Sequence, residues 1–249
     1  MSEVFISGIE KLIQKIEQTQ MDNINKAGQI IADAVASDHY VYVFGTGQSA
    51  LMMYETMNRK GVFAQIIPML DMGVAMNSGA RASGGFEKLA GYGRIVVNDY
   101  LVQPGDVLID VSNSGVNATP VEVAIEAKKK GMTVVALISM DTARHLPPDK
   151  GNPYGKNLYE VADLVLDTCG VAGDALVQLE GMVPKVGPDS TILNAIVLHA
   201  VLVEADKDLL AKGITPAIGM RVYDEGGPEY NARVVDPVRR KMRALNPHF

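Results

Sequence analysis

The hydrophobic positions of the first part of the chain repeat at the spacing of an α-helix. Apolar residues recur every three or four positions from Ile6 to Ile16, and the same spacing resumes at Ile24. Such a repeat places apolar side chains on one face of a helix. The pattern predicts helix over residues 3–37, with a break near Gln20 and Asp22 as the cap of a second helix.

From residue 40 onward the apolar residues form short continuous runs instead. These runs predict five strands, at residues 40–44, 62–68, 107–111, 133–138 and 164–167. Helical patterns lie between or after them, at residues 48–60, 119–130 and 189–212. Continuous apolar strands that alternate with helices are typical of a parallel sheet covered on both faces. The predicted fold is therefore α/β, with a doubly wound five-stranded parallel sheet behind N-terminal helices. For the strand order we expect 2-1-3-4-5, one of the two common orders of doubly wound sheets.

The chain shows no linker long enough to divide it. We therefore predict a single domain over residues 1–249, composed of a helical segment 1–38, a core 39–212 and a Gly- and Pro-rich, then basic tail 213–249. Residues 71–100 and 140–160 interrupt the strand–helix alternation with Gly- and Pro-rich stretches. Long excursions of this kind are usually functional or disordered loops.

Composition narrows the class of protein. Of 249 residues, 47% are hydrophobic and 21% charged, which is typical of a globular chain. The net charge of −6 argues against a nucleic-acid-binding surface spread over the whole protein. One cysteine, Cys169, excludes an internal disulfide and a multi-cysteine metal cage. The sequence shows no signal peptide, no window apolar enough for a membrane span and no metal-ligand spacing. We expect a cytoplasmic location and no metal.

Two loops rich in glycine and polar side chains follow the first and third predicted strands, and each opens a helix. The first loop is Gly45-Thr46-Gly47-Gln48-Ser49, and the second is Ser112-Asn113-Ser114-Gly115-Val116-Asn117. In the predicted strand order these strands are neighbours at the switch point, so the loops face each other across one crevice. Free N–H groups at helix N-termini attract anions. Neither loop contains lysine, which favours a small phosphate ester held by hydroxyls and amides.

Two other interpretations of these loops stay open. Short Gly/Ser segments are common as plain strand-to-helix turns, with Ser49 as a cap. A dinucleotide site is the second alternative, because Asp71 follows the second strand where an acid would hold a ribose. The first loop, however, has Ala50 where the dinucleotide fingerprint ends in glycine.

The segment Asp110-Val111-Ser112-Asn113-Ser114-Gly115 resembles the phosphate-binding signature of SIS (sugar isomerase) domains, and residues 45–49 resemble the first motif of that family. The resemblance covers residues 40 to about 205. It implies a five-stranded α/β fold, phosphosugar ligands and homo-oligomers, either dimers or tetramers. The family includes phosphoheptose isomerase, N-acetylmuramic acid 6-phosphate etherase and sugar-phosphate-sensing modules. Residues 167–175 and 186–191 resemble a bacterial subgroup of unassigned activity.

The resemblance also implies roles for individual side chains. Carried over by position, the ligand-binding residues of the two loops are Gly45, Thr46, Gly47, Gln48, Ser49, Ser112, Asn113, Ser114, Gly115 and Asn117. Ser190 and Thr191 are the ligand-binding residues outside the loops. The two serines of the second loop would hold the phosphate, and Asn117 would complete that cradle. Ser190 and Thr191, which open the last predicted helix, would approach the sugar. Plain N-capping is the alternative role for these last two.

Three side chains are candidates for proton transfer. Glu87 lies in the excursion 71–100, where the isomerases of the SIS family and the etherase place a catalytic glutamate. The alternative is a solvated glutamate in a first helical turn. His145 follows the fourth strand at the ligand edge, where it would open a sugar ring or bind a metal; the alternative, which we favour, is a solvated loop histidine. His199 lies on the last helix, as does a catalytic histidine of phosphoheptose isomerase, although helical geometry turns it half a turn from Ser190.

Together these observations predict a phosphosugar-binding protein that needs no cofactor. The favoured activity is aldose–ketose isomerisation through an enediolate, with Glu87 as the proton shuttle. The alternatives are an amino-sugar-phosphate lyase or deaminase, and a non-catalytic sugar-phosphate sensor. A sensor is disfavoured because only 39 residues precede the first strand. The expected partners are a small phosphosugar and further copies of this chain, with no nucleic acid and no membrane.

Overall fold

Five parallel strands form the sheet in the computed structural model, which describes residues 1–77 and 79–245. The strands are β1 (Val41–Gly45), β2 (Ile66–Pro68), β3 (Val107–Val111), β4 (Thr133–Ile138) and β5 (Leu164–Asp167). Their order is β2-β1-β3-β4-β5, so the predicted fold class and strand order are confirmed. The register places Gly45 beside Val111, which aligns the carboxyl ends of the two central strands.

Helices cover the sheet, and further helices precede its first strand and follow its last one. In the described residues they are α1 (Ser2–Thr19), α2 (Met21–Ala36), α3 (Leu51–Thr56), α4 (Ala80–Glu87), α5 (Tyr92–Asn98), α6 (Ala118–Lys129), α7 (Met140–Ala143), α8 (Leu158–Val161), α9 (Ser190–Ala211), α10 (Gly227–Tyr230) and α11 (Asp236–Leu245). A 3-10 turn, Gly47–Ala50, precedes α3, and a π turn, Asn231–Val235, joins α10 to α11. None of these helices is long and apolar enough to pass through a bilayer.

The N-terminal helices differ from prediction at their junction. The break falls at Gln20 as expected, but α2 begins at Met21, so Asp22 lies in the first turn and is not the cap. Gln20 itself is buried, and its side-chain oxygen accepts a hydrogen bond of 3.2 Å from the backbone N–H of Asp167. The helix junction is therefore attached to the edge strand β5.

The region around β2 is less regular than the hydrophobic pattern predicts. The apolar run 62–68 yields a strand only at its end, because Phe63 forms an isolated antiparallel bridge with Ile218 of the C-terminal tail. The predicted helix 48–60 is shorter as well, since α3 ends at Thr56. The chain that leads into β2 thus pairs with the C-terminal tail and does not continue the strand that its hydrophobic pattern predicts.

Helices α2 and α9 cross at very close range. A Cβ atom on Gly28 would lie 2.6 Å from Cβ of Glu204 and 3.0 Å from the backbone nitrogen of Ala205. Only a residue without a side chain permits this approach. The crossing buries Ile24 and Ile31 within the chain's own core.

Asp110 is an unpaired acid in the central strand β3. Its side chain is fully buried, and neither carboxyl oxygen has a hydrogen-bond partner in the described residues. Burial removes the charged form from water and raises the pKa of Asp110 well above its usual range. The folded state then holds this proton more tightly than the unfolded chain does. Its contribution to stability therefore weakens as pH rises from about 3.9, the usual pKa in an unfolded chain, towards the folded-state pKa.

We predict that Asp110→Asn is more stable than the wild type at pH 8, by at least about 1 kcal/mol, because the amide is neutral at every pH, whereas the buried acid must either stay ionised without a partner or take up a proton on folding. The advantage should shrink at pH 4, where the wild-type acid is protonated in the folded state. Urea unfolding of both proteins at the two pH values measures this. Asp106→Asn is the matched control: both Asp106 oxygens accept backbone N–H groups, so that variant should lose stability. A less stable Asp110→Asn at pH 8 would contradict the prediction.

Candidate functional site

A cleft of about 140 Å³ opens at the carboxyl ends of β1 and β3. Its lining consists of Thr46, Gly47, Gln48, Ser49, Glu87, Ser112, Asn113, Ser114, Asp174 and Ser190. The two predicted loops therefore meet at one cleft, at the switch point of the sheet, where ligands of doubly wound folds bind. Five separate segments of the sequence contribute to it.

The first loop turns sharply between β1 and α3. Gly47 has a left-handed φ of +57°, and its N–H donates to the carbonyl of Val74 at 2.9 Å. A Cβ atom on Gly45 would lie 2.5 Å from the carbonyl oxygen of Ser49, so the loop folds back against its own strand end. The loop is thus tied both to β1 and to the segment after β2.

The second loop is held by an internal hydrogen bond. The Gly115 N–H donates to Oγ of Ser112 at 3.1 Å, while the Ser112 N–H donates to the carbonyl of Leu137. Gly115 has φ +66°, a conformation that side chains disfavour. Among the described residues the Ser112 hydroxyl donates no hydrogen bond, so its proton can be directed to a ligand. Helix α6 begins just beyond, with Asn117 as its N-cap residue.

Glu87 reaches the cleft from the end of α4. Oγ of Thr46 donates a 2.6 Å hydrogen bond to Oε1 of Glu87. The helix is held on both sides, since Ser83 donates to the carbonyl of Val74 and Thr119 donates to the carbonyl of Phe86. Glu87 closes this helix and does not lie in a first helical turn, which was the alternative placement. The carboxylate is therefore fixed at the cleft.

Asp174 lines the cleft as well; from the sequence it is only a minor candidate, within the segment 167–175. Its Oδ1 accepts from the backbone N–H groups of Asp189 (3.1 Å) and Ser190 (2.9 Å), and its Oδ2 accepts from Oγ of Ser190 at 2.9 Å. Left-handed conformations at Gly173 and Asp174 turn the chain towards the start of α9. The sequence signals for this turn were the Gly-Asp pair and the resemblance of the segment 167–175 to the family subgroup.

Asp189 lies behind Asp174 and is fully buried. Its Oδ2 accepts from the Val171 N–H at 3.0 Å, and its Oδ1 has no hydrogen-bond partner in the described part of the chain. Burial, with the neighbouring acid Asp174 as a smaller cause, raises the pKa of Asp189 to about 6. The neighbouring acids Asp174 and Asp189 therefore make this end of the cleft acidic, and the hydrogen bonds that they accept offset only part of the negative charge.

The remaining predicted residues lie outside the lining. His145 is exposed, and its Nδ1 lies 2.7 Å from the carbonyl oxygen of Asp141. His199 is half-exposed on α9, with its Nε2 2.9 Å from Oε1 of Glu55 on α3. Asn117 and Thr191 stand beside the cleft as helix-start residues, and Gly45 and Gly115 shape the loops from behind. Among the described residues, none that lines the cleft is a histidine, lysine or arginine.

No group of three or more metal-ligating side chains occurs within the residues that the structure describes. The cleft itself offers hydroxyls, amides, backbone N–H groups and two carboxylates. Such a set can bind an anion through neutral donors and move a proton through a carboxylate.

Comparison with known proteins gives this geometry a context. The model of the SIS domain family matches residues 4–139, which include β1 to β4 and both loops. A UPF0309 protein of Brucella anthropi is 39% identical over 224 residues, which are 90% of this chain and 88% of that protein.

Solved structures show the same fold at low sequence identity. A phosphoheptose isomerase from Francisella tularensis is 13% identical, with a TM-score of 0.53, over 82% of this chain and 95% of that one. The NanR protein of Vibrio vulnificus, complexed with ManNAc-6P, is 16% identical with a TM-score of 0.50, over 98% of this chain and 69% of that one. These likenesses concern the fold alone.

Proposed function

The chain belongs to the SIS domain family and to the UPF0309 proteins, and on that premise we propose that it binds a phosphorylated sugar in the cleft between its two loops. The observation that carries the proposal is the meeting of the loops 45–49 and 112–117 at one cleft, from neighbouring strands of the sheet. The Vibrio vulnificus protein of the same fold was captured with ManNAc-6P, which supports a sugar phosphate as the ligand.

The phosphate belongs on the second loop. The Ser112 hydroxyl has a free proton to donate, Ser114 stands beside it in the lining, and α6 starts just after the loop. The start of a helix carries free N–H groups and a positive partial charge, and both favour an anion. Neutral donors thereby replace the lysine of a nucleotide-binding loop, and the bound phosphate orients the rest of the sugar.

The favoured reaction is aldose–ketose isomerisation with Glu87 as the base. The carboxylate would remove the proton from the carbon next to the carbonyl group and return it to the former carbonyl carbon. The hydroxyl on the deprotonated carbon gives its proton to the former carbonyl oxygen, so the enediolate collapses to the isomeric sugar without loss of atoms. The Thr46 hydrogen bond supports this role because it holds the carboxylate in one orientation.

Elimination or deamination of an amino-sugar phosphate is the second candidate reaction. It starts with the same proton removal, so Glu87 would serve both. The carboxylate of Asp174 in the lining favours keeping this candidate, because it would pair with the amino group of such a ligand. A sensor would bind the same ligand without turnover.

Thermal unfolding with a panel of hexose, heptose and amino-sugar phosphates tests the binding proposal. A true ligand should raise Tm in proportion to the logarithm of its concentration over its Kd, and inorganic phosphate should compete with it. Incubation of each binder in D₂O, followed by NMR, then shows isomer, elimination product or unchanged sugar. If no phosphosugar shifts Tm or competes with phosphate, the proposal is wrong.

A further inference from the structure

Two hydroxyl groups of the cleft direct their protons to carboxylates. Thr46 donates to Glu87 at 2.6 Å, and Ser190 donates to Asp174 at 2.9 Å. An ionised carboxylate only accepts hydrogen bonds, so each hydroxyl must be the donor of its pair. Both hydroxyl oxygens then present only lone pairs to a ligand. This part of the cleft, which we call the acceptor end, consists of Thr46, Glu87, Asp174 and Ser190.

The acceptor end also carries negative charge that no cationic side chain of the lining offsets. Glu87 and Asp174 are the two acids of the lining, and no lysine, arginine or histidine among the described residues lines the cleft beside them. Lys88, the next residue after Glu87, forms its ion pair with Asp149 at 3.4 Å. A phosphate dianion on the second loop would add further negative charge nearby, and like charges at short range repel.

From this arrangement we infer that the cleft selects phosphosugars that carry a free, protonated amino group, an inference that rests on the proposed phosphosugar binding. An ammonium group has three donors and one positive charge, whereas a sugar hydroxyl has one donor and no charge. It therefore matches the lone pairs of the acceptor end and neutralises part of its charge. An N-acetyl group removes that charge and so loses the match.

A metal ion fits the acceptor end less well than an ammonium group. Within the described residues, no three acids, histidines or cysteines come together to hold one. A cation that is part of the ligand needs no such cage, because the phosphate anchors it.

Calorimetry with matched ligands tests the inference on the intact protein. The ligands are glucosamine 6-phosphate, glucose 6-phosphate and N-acetylglucosamine 6-phosphate, with the corresponding galactose series. We expect each free amine to bind at least about tenfold more tightly than its hydroxyl and N-acetyl counterparts, as charge-assisted hydrogen bonds require. Inorganic phosphate serves as the common competitor.

Variants then identify the groups responsible. Asp174→Asn should bring the amine and hydroxyl ligands close to equal affinity, while Asp22→Asn, an exposed acid of α2, should leave the preference unchanged. If Asp174→Asn fails to fold, Ser190→Ala tests the same end, because it removes one acceptor. A preference that survives both variants and Glu87→Gln would overturn the assignment.

The outcomes separate the two proposals. Equal or weaker binding of the amines, with glucose 6-phosphate still displaced by phosphate, overturns amine selection and leaves phosphosugar binding standing. If none of the six phosphosugars binds, and none of the wider panel shifts Tm, phosphosugar binding itself is wrong and amine selection falls with it.

Discussion

Glu87→Gln is expected to lower the exchange of the sugar's α-proton with solvent by about 10²- to 10⁴-fold, which is the usual contribution of a positioned general base. The amide has nearly the same shape, and its oxygen can still accept the hydrogen bond from Thr46. Phosphosugar binding should therefore persist while proton removal stops. NMR in D₂O measures the incorporation of deuterium, and calorimetry measures the affinity of the same variant.

Two comparisons make the Glu87 result specific. Glu10→Gln changes an exposed glutamate of α1 and should leave exchange at the wild-type rate. Thr46→Val should slow exchange because it frees the carboxylate to rotate, and Thr46→Ser should restore the rate because it keeps the hydroxyl. Exchange at the wild-type rate in Glu87→Gln would show that another group is the base.

Ser114→Ala is expected to weaken phosphosugar binding by about 10- to 150-fold, the effect of losing a hydrogen bond of 1.5–3 kcal/mol to a charged group. Ser114 lines the cleft and is half-buried, so the substitution should leave the free energy of unfolding nearly unchanged. Calorimetry with the ligand found by the thermal panel measures the loss, and urea unfolding checks the stability.

The same loss should appear with inorganic phosphate, since Ser114 is assigned to the phosphate and not to the sugar. Ser37→Ala, at the exposed end of α2, is the control and should bind as the wild type does. Unchanged phosphate affinity in Ser114→Ala would place the phosphate elsewhere in the cleft. Ser112→Ala should be more disruptive, because it also leaves the buried Gly115 N–H without its acceptor.

Three of the five strands could be predicted from the sequence to the residue. The strands at 107–111, 133–138 and 164–167 have the predicted bounds, and the apolar runs of β3 and β4 are continuous because these strands are buried on both faces. At the β2 edge of the sheet the prediction was less accurate. Phe63 bridges to Ile218, a contact with the tail that no local pattern around residue 63 contains.

The amino-acid sequence alone determined the strands of the sheet and the two loops at its carboxyl edge. These features depend on local hydrophobic periodicity and on glycine and serine placed directly after strands, which neighbouring residues specify. It also indicated Glu87, although not that Thr46 would hold its carboxylate.

The acceptor end was decided only by the tertiary structure. Asp174 reaches Ser190 through left-handed turns at Gly173 and Asp174. The tertiary structure likewise decided that His199, outside the acceptor end, contacts Glu55 on α3. These contacts join residues 16 and 144 positions apart. Their geometry depends on how helices pack around the finished sheet, which local sequence pattern does not encode.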